Sequence, residues 1–202
     1  FRAMPIAVTC IWRYRPYKSI DNCFIPDLSH LHAAAAAGLG EIGWHGLTIT
    51  PQYGPRQRFI TVLTDAPLVP DPLYDGPPLC DMCMLCAEKC PTEAFDKEVA
   101  GECVVRIESK TFRYANKNKW RCAWGENFQL DLDLDLPERI DDAVIVSVLE
   151  RAARENPKMR RGWAMGQCLK FCLPPHLRAE APDGHSFPRR RKPAPRTDAP
   201  YL

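Results

Sequence analysis

Four cysteines lie within eleven residues, and their spacing constrains this chain more than any other feature of its sequence. Cys80, Cys83 and Cys86 are each separated by two residues, and Cys90 follows three residues further on, directly before Pro91. Three thiolates at this spacing can bind three corners of a cubane while the backbone turns around it. A zinc site needs only two close pairs of ligands, and this run is too dense for that. The spacing therefore predicts a [4Fe–4S] cluster on Cys80, Cys83 and Cys86.

The bulk composition is that of an ordinary soluble globular protein. The 202 residues are 46% hydrophobic and 26% charged, which is close to average usage. The net charge of +2 does not favour nucleic acid or a membrane surface as a partner. No apolar run approaches the roughly 18 residues of a membrane span.

The ten cysteines also bear on the cellular compartment in which the protein is expected. Dense cysteines without a secretory signal favour metal binding over disulfides. Reduced thiols predict a cytoplasmic location. Residue 1 is Phe, so a processed chain that has lost an export signal, or part of a longer chain, is compatible with the same sequence.

The pattern of elements predicts an α+β fold in three parts. Residues 1–75 form an α/β region, residues 76–178 carry the cysteines, and residues 179–202 form an extended basic tail rich in Pro and Arg. In the first part Ser29 is placed to cap a helix that ends at Gly38. Residues 6–12, 47–50 and 59–64 are typical of strands.

Further elements are predicted after the cysteine run. Residues 104–114 alternate as a hairpin does, and residues 131–136 are either a half-buried strand or an acidic loop. A helix is expected to open at Pro137 and to carry Ile140, Val144 and Val148 on one face. A second, short helix over 163–171 should stop before Pro174, with an extended tail from Arg178 onward.

Three more cysteines suggest a second cluster. In two-cluster ferredoxins the cysteine before the proline binds the other cluster. By that rule Cys172 completes the first cluster, and Cys90, Cys122 and Cys168 hold the second. Position 165, where a further thiolate is expected, is Met. Either Cys103 supplies the fourth ligand, or the second site is a [3Fe–4S] cluster. The alternative is that Cys103, Cys122 and Cys168 are buried small hydrophobic residues.

The order of these motifs resembles a known family. Residues 36–43 read Ala-Ala-Gly-Leu-Gly-Glu-Ile-Gly, which is similar to the Ala-Gly-Leu-Gly-x-Ile-Gly signature of epoxyqueuosine reductases and reductive dehalogenases. Segments 50–54 and 62–68 continue the pattern, and the cysteine run follows at the family's distance. The resemblance covers about residues 32–175.

This resemblance implies a fold and a set of cofactors. It implies a partial nitroreductase-like sheet domain, followed by a bacterial ferredoxin-like domain with two [4Fe–4S] clusters. It also implies that Gly38, Gly40 and Gly43 contact a cofactor, as part of a cobalamin-dependent reductase or a cobalamin-free derivative. Trp44 and His45 stand where the reductases usually have Lys after the last Gly. Much of the family's cofactor pocket and its catalytic acid lies upstream of the matching region, so no catalytic residue is assigned.

Three functional hypotheses follow from these features. The first is an iron–sulfur oxidoreductase of this type, or the part of one that delivers electrons. The second is a non-catalytic ferredoxin-like subunit that transfers electrons within a larger complex, with a redox partner protein. The third is a tRNA-binding module that uses the basic run at 189–192, although such a run is more often a solvated tail. His30, His32 and His45 are interpreted as partly buried structural residues.

Overall fold

The computed structural model describes residues 1–6, 28–97, 99–126, 136–155 and 166–181. Its strands are β1 (Ala3–Ile6), β2 (Glu41–Ile42), β3 (Thr48–Ile49), β4 (Thr61–Thr64), β5 (Glu102–Ile107) and β6 (Lys110–Ala115). Its helices are α1 (His30–Ala36), α2 (Leu85–Glu88), α3 (Lys119–Gly125), α4 (Asp142–Glu155), α5 (Gln167–Phe171) and α6 (Pro175–Glu180). Within these segments the strands pair antiparallel as β1–β4, β2–β3 and β5–β6. This mixture agrees with the α+β class, whereas the nitroreductase-like and ferredoxin-like assignments and the domain boundaries stay predictions.

Helix α1 begins and ends as the sequence predicted. The Ser29 hydroxyl accepts a hydrogen bond from the His32 amide at 3.2 Å, which satisfies one of the free donors of the first turn. Gly38 adopts a positive φ of 71° just after the helix. A Cβ at Gly38 would lie 2.1 Å from the Pro72 carbonyl oxygen. The glycine therefore allows both the left-handed turn and the close approach of the segment that contains Pro72.

The predicted hairpin is confirmed and is slightly longer than expected. Strands β5 and β6 pair from Glu102 opposite Ala115 to Ile107 opposite Lys110. Glu108 makes the turn with a positive φ of 49°. Phe112 on β6 packs with Ala35 of α1 and Ile42 of β2 in a buried cluster. This cluster attaches the hairpin to the first part of the chain.

A second apolar cluster joins the helices that follow the hairpin. Trp124 of α3 packs against Ile140 and Ile145, and all three are almost fully buried. Each such side chain contributes about 1.5–3 kcal/mol relative to exposure. The cluster holds α3 against α4.

The start of α4 differs from its prediction. The helix begins at Asp142 rather than at Pro137. The Asp141 carboxylate accepts a hydrogen bond from the Val144 amide at 3.1 Å, so Asp141 is the residue that caps the helix. Ile140 precedes the helix and is buried, so the periodic pattern included one apolar residue that is not helical.

The chain after Pro174 also differs from its prediction. Pro174 and Pro175 were expected to lead into an extended tail, but Pro175 is the first residue of α6. Proline is tolerated there because the first helical amide has no partner within the helix. Arg178, expected to begin the tail, is helical and pairs with Asp81 at 2.8 Å. Residues 182–202, with the basic run, lie outside the described residues.

The remaining strand and helix predictions are confirmed only in part. Strands β3 and β4 cover the central or final residues of the predicted segments 47–50 and 59–64, and α5 covers the end of 163–171. Residues 7–12, 131–135 and 163–165 lie outside the described residues. None of the helices in the described segments is long and apolar enough to cross a membrane.

Arg121 is a buried cation that joins three segments of the chain. It lies on α3 with 1% of its surface exposed. Its guanidinium donates to the Thr92 carbonyl at 3.2 Å, to the Pro137 carbonyl at 3.0 Å, and to the Glu138 carbonyl. It therefore connects the end of the cysteine run to the segment that precedes α4.

Replacing Arg121 by Met should destabilise the fold by about 3 kcal/mol, because the carbonyl of buried Thr92 and those of Pro137 and Glu138 lose their donor. Arg113→Met is the matched control, since Arg113 is exposed and pairs with Glu102 at the surface. That change should cost less than about 1 kcal/mol. Chemical denaturation of the two variants at equal iron content measures both losses of stability. Equal losses for the two variants would contradict the structural role of Arg121.

Candidate functional site

The cysteine run folds as an irregular loop that leads into a single turn of helix. Met82 and Met84 both have positive φ, 57° and 62°, a conformation that non-glycine residues seldom adopt. Cys83, between them, is exposed, and Cys86 on α2 is buried. The loop therefore presents one thiol outward and another to the interior. Such strain is typical of functional loops.

Cys172 comes from the far end of the chain to the same loop. It directly follows α5, and α5 packs against α2. Burial raises the pKa of Cys172, and repulsion from Cys80, Cys86 and Cys83 raises it further. Burial likewise raises the pKa of Cys86 to about 12, with added repulsion from Cys168, Cys80 and Cys83. We call Cys80, Cys83, Cys86 and Cys172 the first thiol group.

The second thiol group consists of Cys90, Cys122 and Cys168. Burial raises the pKa of Cys122, and Cys90 is one of the negative groups that raise it further. Burial raises the pKa of Cys168 to about 11, and Cys122 and Cys90 add to that increase. The Cys90 sulfur accepts a hydrogen bond from the Ala94 amide at 3.4 Å. The structure thus places these three cysteines within electrostatic reach of one another.

Cys103 lies elsewhere. Its sulfur is 4.0 Å from the Asn116 side-chain oxygen. Burial raises the pKa of Tyr114, and Cys103 is the charged neighbour that raises it further. Cys103 is not among the groups that shift the pKa of Cys122 or Cys168. The role of Cys103 as the fourth ligand stays a prediction.

The arrangement of the thiols bears on what they could bind. Among the described residues, no three His, Cys, Asp or Glu side chains are grouped so that they could hold one metal ion. A cubane differs from a single ion, because each of its ligands binds a separate iron at a separate corner. A nearby cation lowers the pKa of a buried thiol, whereas repulsion from other thiolates raises it. The binding of iron–sulfur clusters by these thiols stays a prediction.

His45 was expected to be a structural residue, and it is buried at 2% exposure. Its Nδ1 accepts a hydrogen bond from the Leu47 amide at 3.1 Å, so the proton of the neutral ring is on Nε2. That nitrogen lies 3.3 Å from the Cys172 sulfur and donates to it. Burial, with repulsion from Lys117, lowers the pKa of His45 to about 3. The ring is therefore a neutral donor to the first thiol group.

Lys117 and Glu126 are the charged residues that sequence reasoning missed. The Lys117 ammonium donates to the His45 carbonyl at 3.2 Å. Burial acts to lower its pKa, but the negative forms of Cys122, Cys168 and Glu126 raise it overall. Burial raises the pKa of Glu126, with Lys117 opposing that shift. Nothing in the local sequence marks either residue, because their neighbours come from distant segments.

The three glycines assigned to a cofactor are packed against the chain itself. A Cβ at Gly40 would lie 1.9 Å from the Ile49 carbonyl oxygen, and one at Gly43 would lie 2.4 Å from the Ile49 side chain. Gly38 meets the Pro72 carbonyl in the same way. Close packing is thus sufficient to explain why these residues are glycine. Their contact with a cofactor stays a prediction.

Comparison with known proteins finds partial relatives. Over 84 residues the chain is 40% identical to a tetrachloroethene reductive dehalogenase of Sulfurospirillum multivorans, covering 41% of this chain and 17% of that protein. It is 43% identical over 67 residues to a tetrachloroethene reductive dehalogenase of Desulfitobacterium hafniense, covering 32% and 12%. It is 38% identical over 68 residues to an epoxyqueuosine reductase of Staphylococcus aureus, covering 33% and 17%.

These matches support the resemblance for part of the chain. The chain matches between 12% and 17% of the length of these relatives, so their activities as whole proteins are not transferred by the similarity. No protein-family model matches the chain. No solved structure matches it.

The thiols should differ in reactivity in metal-free protein. Cys83 is exposed and should be alkylated first at about pH 8. Alkylation of Cys86 should be slow and should accelerate roughly tenfold per pH unit, because its thiolate fraction rises steadily below a pKa of about 12. Peptide mass spectrometry of iodoacetamide-treated protein measures both rates. Equal rates for Cys83 and Cys86 would contradict the burial of Cys86.

Proposed function

We propose that this chain is an iron–sulfur electron-transfer oxidoreductase, or the part of one that delivers electrons, similar to reductive dehalogenases and epoxyqueuosine reductases. The observation that carries the proposal is the packing of α5 against α2. This packing places Cys172 within electrostatic reach of Cys80, Cys83 and Cys86, although Cys172 is distant from them in sequence. The names of the partial relatives agree with an oxidoreductase.

The first thiol group would hold a [4Fe–4S] cluster, which supplies one-electron transfer when it is bound. Iron held by Cys86 and Cys172 would replace the protons that burial otherwise keeps on these thiols. The chain adds hydrogen bonds to the sulfurs. The Trp44 amide donates to Cys80 at 3.5 Å, and His45 donates to Cys172. Such bonds favour the more negative, reduced state and raise the reduction potential.

The second thiol group would hold a second cluster through Cys90, Cys122 and Cys168. Here the chain provides a cation, because the Lys117 ammonium lies near these thiols. A positive charge in a poorly solvated region stabilises thiolates more strongly than a hydrogen-bond dipole does. This environment suits an iron–sulfur cluster, which gains negative charge when it is reduced.

The outer surface of the first thiol group is where a redox partner would approach. Cys83 is exposed. Cys80 lines a cavity of about 290 Å³, together with Trp44, Met82, Lys110 and other residues of β6. Cys90, Cys122 and Cys168 in the second thiol group are each partly buried. We therefore propose that electrons reach this chain at the first thiol group from a redox partner protein or a neighbouring subunit.

Cobalamin has less support in this chain. The described residues show no cradle at Gly38, Gly40 or Gly43, because protein atoms already occupy the space beside them. We derive no step through cobalamin, and the substrate of the proposed reductase is not assigned. The packing of these glycines favours the second candidate, a non-catalytic ferredoxin-like subunit. The cytoplasmic location and the tRNA-binding tail stay predictions.

Corrinoid content separates the two candidates. An enzyme of the leading type should retain corrinoid when the full-length protein is purified anaerobically from cells supplied with cobalamin. Extraction and absorption spectroscopy measure the corrinoid bound per chain. Absence of corrinoid alongside intact clusters would favour the electron-transfer subunit.

The proposed assignment of ligands is tested by two single substitutions that serve as controls for each other. Cys172→Ser should damage the first cluster, and Cys168→Ser should damage the second. Iron and sulfide counts with low-temperature EPR on anaerobic protein distinguish them, starting from about eight irons in the parent protein. If Cys172→Ser changes only the second cluster, the proposed topology is wrong. If the parent protein binds no iron and sulfide, the proposed function is wrong.

A further inference from the structure

The second thiol group has three cysteines, whereas a cubane has four irons to bind. Cys103, the fourth cysteine considered from the sequence, lies beside Asn116 on the hairpin instead. A fourth ligand of another type would have to come from the residues that surround Cys122 and Cys168.

Helix α3 places Glu126 beside Cys122. The Glu126 amide donates to the Cys122 carbonyl at 3.0 Å, which is the i to i+4 bond of a helical turn. Glu126 keeps helical angles, with φ of −83° and ψ of −51°. Side chains four residues apart on a helix lie on the same face. The Glu126 carboxylate and the Cys122 thiol therefore project from the same side of α3.

Gly166 lies beside both Cys168 and Glu126. A Cβ on Gly166 would lie 3.2 Å from the Cys168 sulfur and 3.9 Å from Cγ of Glu126. Both side chains thus border the point where Gly166 lacks a side chain.

The electrostatics of the thiols place the carboxylate in the same group. Among the negative neighbours of Cys122, Glu126 raises the thiol pKa more than Cys90 does. The same order holds for Cys168. Glu126 is therefore one of the charged groups that act on both thiols.

We propose that the Glu126 carboxylate is the fourth ligand of the second cluster, with Cys90, Cys122 and Cys168. This inference rests on the proposed function, since it requires a second cluster. Carboxylates bind iron in other protein sites, and a carboxylate has the same charge as the thiolate it would replace. The Lys117 ammonium would balance part of that negative charge.

The test uses the full chain, reconstituted anaerobically with iron and sulfide. The parent protein should bind about eight irons, and Glu126→Ala should lose about one iron and gain the EPR signal of an oxidised three-iron cluster. Glu126→Cys should restore the count of about eight, because a thiolate can bind the same corner. Cys103→Ser is the matched control and should leave both the count and the spectrum unchanged.

These measurements separate the role of Glu126 from the existence of the second cluster. Glu126→Ala protein with an unchanged iron count and spectrum would overturn the role of Glu126 and leave the proposed function standing. Loss of iron in Cys103→Ser, failure of Glu126→Cys to restore it, or about seven irons in the parent protein would also overturn that role. About four irons in the parent protein would instead contradict the second cluster itself.

Discussion

The packing of the last described helices onto the cysteine loop is the constraint on which the candidate site depends. Leu173 and Leu177 are buried, as is Leu79 just before the loop. The Arg178 guanidinium forms two hydrogen bonds with the Asp81 carboxylate, at 2.8 and 3.2 Å. Arg56 donates to the Leu169 carbonyl at 2.8 Å. These contacts join segments about 100 residues apart, and they position Cys172 without any covalent link.

That same packing disfavours the thiolate forms of Cys86 and Cys172. Burial and mutual repulsion raise the pKa of Cys86 to about 12 and raise that of Cys172 still further. In metal-free protein these thiols are therefore protonated at pH 7. Under the proposed function, cluster binding would exchange those protons for iron, and its free energy would also stabilise the contact between α2 and α5. Under the proposed function, loss of either cluster should weaken the fold as well as electron transfer.

Local signals were sufficient for the elements that depend on local bonds. The Ser29 cap, the left-handed Gly38 and the hairpin of β5 and β6 follow from capping, glycine conformation and alternation. The start of α4 was placed too early because buried Ile140 continued the apolar period before the helix began. Helix α6 was missed because Pro175 was interpreted as a stop, although proline is acceptable at the first helical position.

The sequence indicated the thiols by two signals: the spacing from Cys80 to Cys90, and the ferredoxin rule that assigns Cys172 to the first cluster. It gave no signal for the roles of His45, Lys117 and Glu126, because those roles arise from tertiary contacts. His45 lies 127 residues from Cys172, and Lys117 lies 72 residues from His45. No periodicity or motif encodes contacts of that range, so the sequence indicated the thiols but not the residues that adjust their charge.

Those residues also connect the two thiol groups. The Lys117 ammonium, near Cys122 and Cys168, donates to the His45 carbonyl, and the His45 ring donates to Cys172. Arg56 and Arg178 lie near the first thiol group. Like Lys117, each is partly exposed, so solvent weakens the field of all three cations.

Under the proposed function, Lys117 would stabilise the negative charge added by reduction at the second thiol group, as Arg56 and Arg178 would at the first. Electrons would enter at exposed Cys83 and pass between the two thiol groups.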